Sequence, residues 1–188
     1  MQNNSPRMLT HPQKPLVLLL GRTGSGKDTI ASYLPLTQLK SYTTRPRRPN
    51  ETDTHIFTTE EFYEAHKSEI IAETTINNYH YFCTQDQLSS SDLYIIDPNG
   101  QYQLQQKYPN IISIYISTPP HIRAERALKC RHDDPDVFKS RNASENAQFT
   151  DYEQIHAYDY IVENKNLNRA LAQIKAILKY EGVITNES

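Results

Sequence analysis

The sequence predicts an α/β fold: an open, mostly parallel sheet flanked by helices, with an inserted subdomain and a lid. Three observations predict it. Short apolar runs of strand length alternate with stretches of helical spacing, the order expected of a parallel sheet covered on both faces. The first apolar run, Leu16–Leu20, passes directly into a glycine-rich turn and then a helix. One stretch, residues 45–91, breaks the alternation with a proline-rich entry, one helix and two strand-like pieces, and so reads as an insertion. With 188 residues the chain fits one domain, residues 15–188, behind a polar leader over residues 1–14 expected to be flexible.

The elements follow in order. Leu16–Leu20 has the continuous apolarity of a strand buried on both faces. Ile30, Tyr33 and Leu34 give helical spacing that ends near Pro35. A strand is expected over 39–43, then a helix over 60–67 and strands near 69–76 and 79–83 within the insertion. Residues 93–96 and 111–116 are rich in β-branched and aromatic residues, and 160–162 is a shorter strand. Helical patterns occupy 101–107, 121–130 and 167–179. In the last, Leu167, Ala170, Leu171, Ile174, Ile177 and Leu178 form one apolar face. Residues 131–152 are polar and charged, as suits a mobile lid.

Composition narrows the function classes. At 37% hydrophobic and 22% charged the chain buries a core and is not disordered. A net charge of -2 argues against a general nucleic-acid binder, so any basic site is local. Two cysteines, Cys83 and Cys130, are too few for a disulfide framework and fit a reducing compartment. The longest aliphatic run is far short of the roughly 20 residues of a membrane span, and the leader lacks a secretory apolar region. The expectation is a cytoplasmic protein, monomer or homodimer, with no membrane and no nucleic-acid partner.

The strongest motif is Gly21-Arg22-Thr23-Gly24-Ser25-Gly26-Lys27-Asp28-Thr29, immediately after the first strand. The chain has five glycines, and three fall within these positions. Glycine is required where backbone N–H groups turn inward toward phosphate oxygens with no Cβ in the way. Lys27 then supplies positive charge for the β- and γ-phosphates, and the following helix start adds its dipole. The spacing matches the P-loop through the lysine, which makes residues 21–29 the expected ATP site. One position departs: Asp28 stands where a Ser or Thr places a hydroxyl on Mg²⁺. Either Asp28 holds Mg²⁺ through water, or Thr29 takes the hydroxyl role. Similar Gly-Lys-Asp-Thr loops resemble those of some phage-type deoxynucleotide monophosphate kinases.

Next comes Ser41-Tyr42-Thr43-Thr44-Arg45-Pro46-Arg47-Arg48-Pro49. Three arginines in four residues, stiffened by two prolines, offer a preorganised fork for a dianionic phosphate. Here the sequence resembles the guanylate kinase family, whose acceptor-phosphate motif falls on Ser41, Arg45 and Arg48. The resemblance continues through Glu51 to Phe57, with His55 in place of a phosphate-contacting tyrosine. Histidine can also donate to phosphate. Tyr79-His80-Tyr81-Phe82-Cys83-Thr84 is similar to the family's Tyr-Tyr-Gly-Thr/Ser stretch, which implies Tyr81 on the acceptor phosphate and Thr84 near the pocket. Residues 95–100 correspond to an Asp-x-Asp-x-x-Gly strand end, in which Asp97 keeps the second carboxylate and Ile95 has lost the first. A carboxylate at that strand edge faces the ligand crevice, and it also suits a helix N-cap. The glutamate that reads guanine in the family falls by count on Ala72, with Glu73 beside it; the two point to opposite faces of a strand.

The resemblance further implies two lid arginines, Arg131 and Arg141, that neutralise charge on the transferring group, with Arg126 and Lys129 as an alternative pair. Asn164 corresponds to an asparagine on adenine. The implied function is phosphoryl transfer from ATP, with Mg²⁺, to a small nucleotide, GMP or dGMP. Lys27, Arg45, Arg131 and Arg141 would carry the catalytic charge. Three other readings stay open at this point. One is a kinase of the same shape that acts on another deoxynucleoside monophosphate or a phosphorylated sugar. A non-catalytic interaction module of this shape would have lost the P-loop, which is kept here. A P-loop ATPase or GTPase would need a switch motif that the chain lacks.

Overall fold

Every residue of Leu16–Leu20 is buried, because this strand runs through the middle of the main sheet. The structure is a computed structural model and describes residues 14–47, 55–76 and 78–185. The expected leader, apart from Lys14, and Arg48 and Glu51 of the acceptor motif lie outside the described residues.

In chain order the elements begin with β1 (Leu16–Leu20), α1 (Lys27–Ser32), β2 (Gln38–Leu39), β3 (Tyr42–Thr43) and β4 (Ile56–Phe57). Then come α2 (Glu60–His66), a 3-10 turn at Lys67–Glu69, β5 (Ile70–Ile76), β6 (Tyr79–Thr84), α3 (Gln85–Ser89) and β7 (Leu93–Ile95). The chain continues through α4 (Pro98–Lys107), β8 (Ile111–Ser117), α5 (Pro120–Glu125) and a π-helical turn at Arg126–Cys130. It closes with α6 (Pro135–Gln154), β9 (Tyr160–Glu163) and α7 (Leu167–Tyr180).

The main sheet has the order β2-β7-β1-β8-β9, and every neighbouring pair in it is parallel. Alternation along the strands splits the core into two layers. Val17 and Leu19 pack with Ile112, Ile114 and Ile116 against α1 and α7, whose Ala170, Ile174 and Leu178 form the buried stripe read from the spacing. Leu16, Leu18 and Leu20 face the other way, toward Leu104 of α4 and Phe149 and Tyr152 of α6. No described helix is long and apolar enough to cross a membrane.

A second sheet, β4-β3-β6-β5, is built from the inserted stretch. Its β3–β6 and β5–β6 pairs are antiparallel, and β3–β4 is parallel. The single strand expected over 39–43 is therefore two short strands in different sheets. Leu39 pairs with Tyr94 of β7, whereas Tyr42 pairs with Phe82 of β6, so the chain changes sheet at Lys40 and Ser41. The expected lid stretch also differs from a loose segment, for most of it is α6, twenty residues long. Asp134 caps it by accepting the N–H groups of Asp136 and Val137, and Pro135 occupies the first turn, where a missing N–H costs nothing. Phe149 and Tyr152 anchor its C-terminal half in the core.

Candidate active site

Between β1 and α1 the chain turns on two glycines of positive φ, Gly24 at 77° and Gly26 at 87°. A side chain is strained in that conformation. Space forbids one as well: a Cβ on Gly24 would lie 2.6 Å from the Arg123 carbonyl oxygen, and one on Gly26 would lie 2.6 Å from Asn164 Nδ2. A Cβ on Gly21 would meet Ser25 Oγ at 2.6 Å. Lys27 opens α1 half-buried, and Asp28 and Thr29 stand exposed in the same turn.

The loop is braced from beneath through one carbonyl. Ser25 O accepts from Asn164 Nδ2 at 2.8 Å, from Thr118 Oγ1 at 3.2 Å and from Arg126 Nη1 at 3.3 Å. Arg126 Nη2 also donates to the Asn164 carbonyl at 2.9 Å. Asn164 is almost wholly buried at 1% exposure, so its amide shapes the loop rather than facing an open cleft. Arg126 serves the same brace, while Lys129 forms an exposed i,i+4 pair with Glu125.

Helix α6 grips the loop from above. Arg22 donates through Nε and Nη2 to the two oxygens of Glu153, at 3.0 and 3.2 Å, and through Nη1 to Asn146 at 2.7 Å. The Thr23 N–H donates to Glu145 Oε2 at 2.7 Å. Arg123, buried on α5, donates to the Thr23 carbonyl at 3.2 Å and to Asn142 at 2.8 Å. Burial works against the Arg22 charge, yet the bond and charge of Glu153 hold its pKa above the ordinary value. Glu153 shows the reverse balance: burial opposes its charge, and bonds from Arg22 and Tyr115 keep its carboxyl below the ordinary range. Burial, then contact with Glu153, pushes the Tyr115 phenol up. On Arg123, burial and the nearby Arg22 charge lower the pKa.

The residues expected to hold an acceptor phosphate gather on the second sheet and its junction with the first. Arg45, largely buried, donates through Nε to Tyr81 Oη at 2.9 Å and through Nη1 to the Pro46 carbonyl at 2.8 Å. Its guanidinium lies over the Phe57 ring, as does that of Arg47. Ser41 Oγ and His55 Nδ1 share a hydrogen bond of 3.0 Å, and the His55 ring stands edge-on to Tyr81. Ser41, Arg45, His55 and Tyr81 are thus linked by direct contacts.

The remaining expected residues have other neighbours. Asp97 accepts the Gly100 N–H at 2.8 Å and caps α4. Burial pushes its carboxyl above the ordinary carboxylate value, against bonds from Gly100, Thr74 and Asn99. Thr84 closes a capping box with Gln87 at the start of α3, which occupies its hydroxyl. Glu73 lies opposite Phe82 in the β5–β6 pair, one residue out of step with Thr74, which lies opposite Tyr81. Its carboxylate accepts from Tyr63 Oη at 2.8 Å, so it occupies the face away from Tyr81. Arg131 is exposed and paired with Asp133, and Arg141 lies on α6. Sequence reasoning missed Asn142, Glu145, Asn146 and Glu153. Their signal was present as a helical stripe with Phe149, hidden because its members are polar.

A parallel sheet whose first strand feeds a glycine cradle and lysine is the architecture of P-loop phosphotransferases, and here a separate arginine–tyrosine cluster adjoins it. Comparison with known proteins narrows the class. The sequence profile of the family described as guanylate kinase matches residues 13–181. The guanylate kinase of Brucella melitensis is 34% identical over 184 residues, covering 88% of this chain and 82% of that protein. That of Paraburkholderia xenovorans is 30% identical over 182 residues, covering 87% and 78%. The crystal structure of guanylate kinase from Anaplasma phagocytophilum shares the fold, with a TM-score of 0.64 at 20% identity over 91% of this chain and 88% of that one. This chain belongs to the guanylate kinase family, and it is a nucleoside monophosphate kinase.

Proposed function

We propose that the protein moves the γ-phosphoryl group of ATP onto the phosphate of GMP or dGMP. The observation that carries this reading is a cavity of about 100 Å³ whose lining includes Asp28 of α1, Ser41, His55 and Tyr94. It brings the end of the phosphate cradle to the edge of the Ser41–His55–Tyr81–Arg45 cluster. An acceptor phosphate held by Arg45 and Tyr81 would thus stand next to the donor's terminal phosphate. Alignment and positive charge are what this transfer needs from a protein, and an attacking phosphate needs no general base.

The cradle suits a nucleoside triphosphate, since Gly24 and Gly26 hold the left-handed backbone conformation that lets successive N–H groups converge on an anion, and Lys27 adds its charge at the helix start. Mg²⁺ fits the same end. Asp28 and Thr29 offer one carboxylate and one hydroxyl, and this ion completes such a set with phosphate oxygens and water. When bound it would neutralise charge on the transferring group. Lys27 holds the donor phosphates, and Arg131 and Arg141 are the lid charges in this scheme. The test is a panel of nucleoside monophosphates with ATP and Mg²⁺. Transfer to GMP and dGMP is expected; transfer only to a sugar phosphate or to other nucleotides would overturn the acceptor assignment.

A further inference from the structure

Tyr94 of β7 carries no role expected from the sequence, yet it stands where the two sheets and the phosphate cradle meet. Its ring packs in the core with Leu39 and Cys83, and the residue is 6% exposed. It nevertheless lines the cavity of about 100 Å³, together with Asp28, Ser41 and His55. The Cys83 thiol and the Ser41 hydroxyl are the hydrogen-bonding neighbours of its own hydroxyl. Cys83 lies on β6 of the second sheet, and Ser41 lies where the chain changes sheet. Ser41 Oγ in turn shares the 3.0 Å bond with His55 Nδ1. Four polar side chains thus follow one another from the core to the cavity: Cys83, Tyr94, Ser41 and His55.

Hydrogen bonds along such a row can run in either direction. In one order His55 Nδ1 donates to Ser41, Ser41 to Tyr94, and Tyr94 to the sulfur. In the other each bond is reversed. Burial pushes the Cys83 thiol up to about 11, so it keeps its proton, and its sulfur is a weak acceptor. Burial first, then Cys83 and Asp97, raise the Tyr94 phenol well above the ordinary value, so it keeps its proton too. That proton has a poor partner in the sulfur and a good one in Ser41 Oγ. A serine that accepts from Tyr94 turns its own proton toward His55. A neutral imidazole that accepts at Nδ1 carries its proton on Nε2, and only a protonated nitrogen can donate to a phosphate.

We propose that Tyr94 is a positioning residue for the acceptor phosphate: it donates to Ser41, Ser41 donates to His55, and neutral His55 keeps its donor at Nε2. This rests on the proposed reading of the cavity as the acceptor site.

Two measurements test it. The first is ¹⁵N NMR of the imidazoles in the ligand-free protein at about pH 8, above the ordinary histidine pKa. The His55 signals, assigned by their loss in His55→Gln, are expected to show the Nε2–H tautomer in wild type and a mixture in Tyr94→Phe. The Nδ1–H tautomer in wild type, or a tautomer unchanged by Tyr94→Phe, overturns the proposal. Should Tyr94→Phe fail to fold, the wild-type tautomer decides.

The second measurement is kcat and KM for GMP with ATP and Mg²⁺. Tyr94→Phe is expected to raise KM for GMP about fivefold, the size of one neutral hydrogen bond, with KM for ATP unchanged. In a Ser41→Ala background the same substitution is expected to have no further effect, because residues that act through one another are not additive. Losses that add would make Tyr94 a packing residue alone and overturn the proposal while leaving the GMP assignment standing. Transfer to no nucleoside monophosphate overturns the acceptor reading and the positioning role with it, whatever the tautomer.

Discussion

The phosphate loop and the acceptor sheet meet at one cavity but are held in opposite ways. The loop takes its shape from backbone: two glycines of positive φ, and a single carbonyl bonded by three side chains from two distant stretches of the chain. The acceptor cluster is a network of side chains on short strands, two residues long in β3 and in β4. Backbone geometry tolerates few replacements, whereas a side-chain network can keep its phosphate grip while the residues beyond it change.

Replacing Lys27 by Met tests the loop side most severely. Transfer is expected to fall by roughly 10²–10³-fold, the loss typical of one fixed donor on a charged transition state. Circular dichroism is expected to stay unchanged, since Lys27 takes no part in the loop's bracing bonds. Arg45→Ala comes next. Acceptor affinity is expected to drop roughly 10–100-fold, the size of a charge-assisted hydrogen bond, with ATP affinity nearly unchanged. An equal loss for both ligands would erase the distinction between the two regions.

Smaller effects sharpen the comparison. Asn164→Ala removes the 2.8 Å bond to Ser25 O but leaves those from Thr118 and Arg126. At about 1 kcal/mol for one such bond, ATP affinity is expected to weaken about fivefold while acceptor affinity holds. The smallest effect is expected from Asp97→Asn, and it is a matter of pH. A carboxyl whose folded pKa is raised binds its proton more tightly when folded, so its contribution to stability declines as pH rises above the unfolded value. Asparagine can accept the same Gly100 N–H without that dependence. The melting temperature of the variant relative to wild type is therefore expected to increase from about pH 4 to about pH 7. A constant difference would mean that Asp97 titrates alike in both states.

The parts of the fold that rest on local patterns were legible. Leu16–Leu20, the glycines after it and the stripe of α7 each follow from spacing or from the conformational freedom of one residue type. The sheet change at Lys40 and Ser41 was not, because two short strands in sequence look the same as one longer strand. Glu73 shows a related limit: its side depends on strand register, which Gln103 sets from thirty residues away. Asn164 was read as an adenine contact from the resemblance, and only the packing shows that its amide supports Ser25 from within. The stripe on α6 escaped notice because its contacts with Arg22 and Thr23 cross more than a hundred residues of sequence.

The grip of α6 on the loop has a thermodynamic consequence. Glu145 occupies the amide of Thr23, and Glu153 and Asn146 hold Arg22, so the docking energy of a twenty-residue helix is partly vested in two residues of the nucleotide cradle. Any ligand that changes the position of those residues changes the docking equilibrium by the same free energy with which docking changes the ligand's affinity. Occupancy of the cradle is then readable at a distance, in the exchange protection of α6 amides that touch no nucleotide.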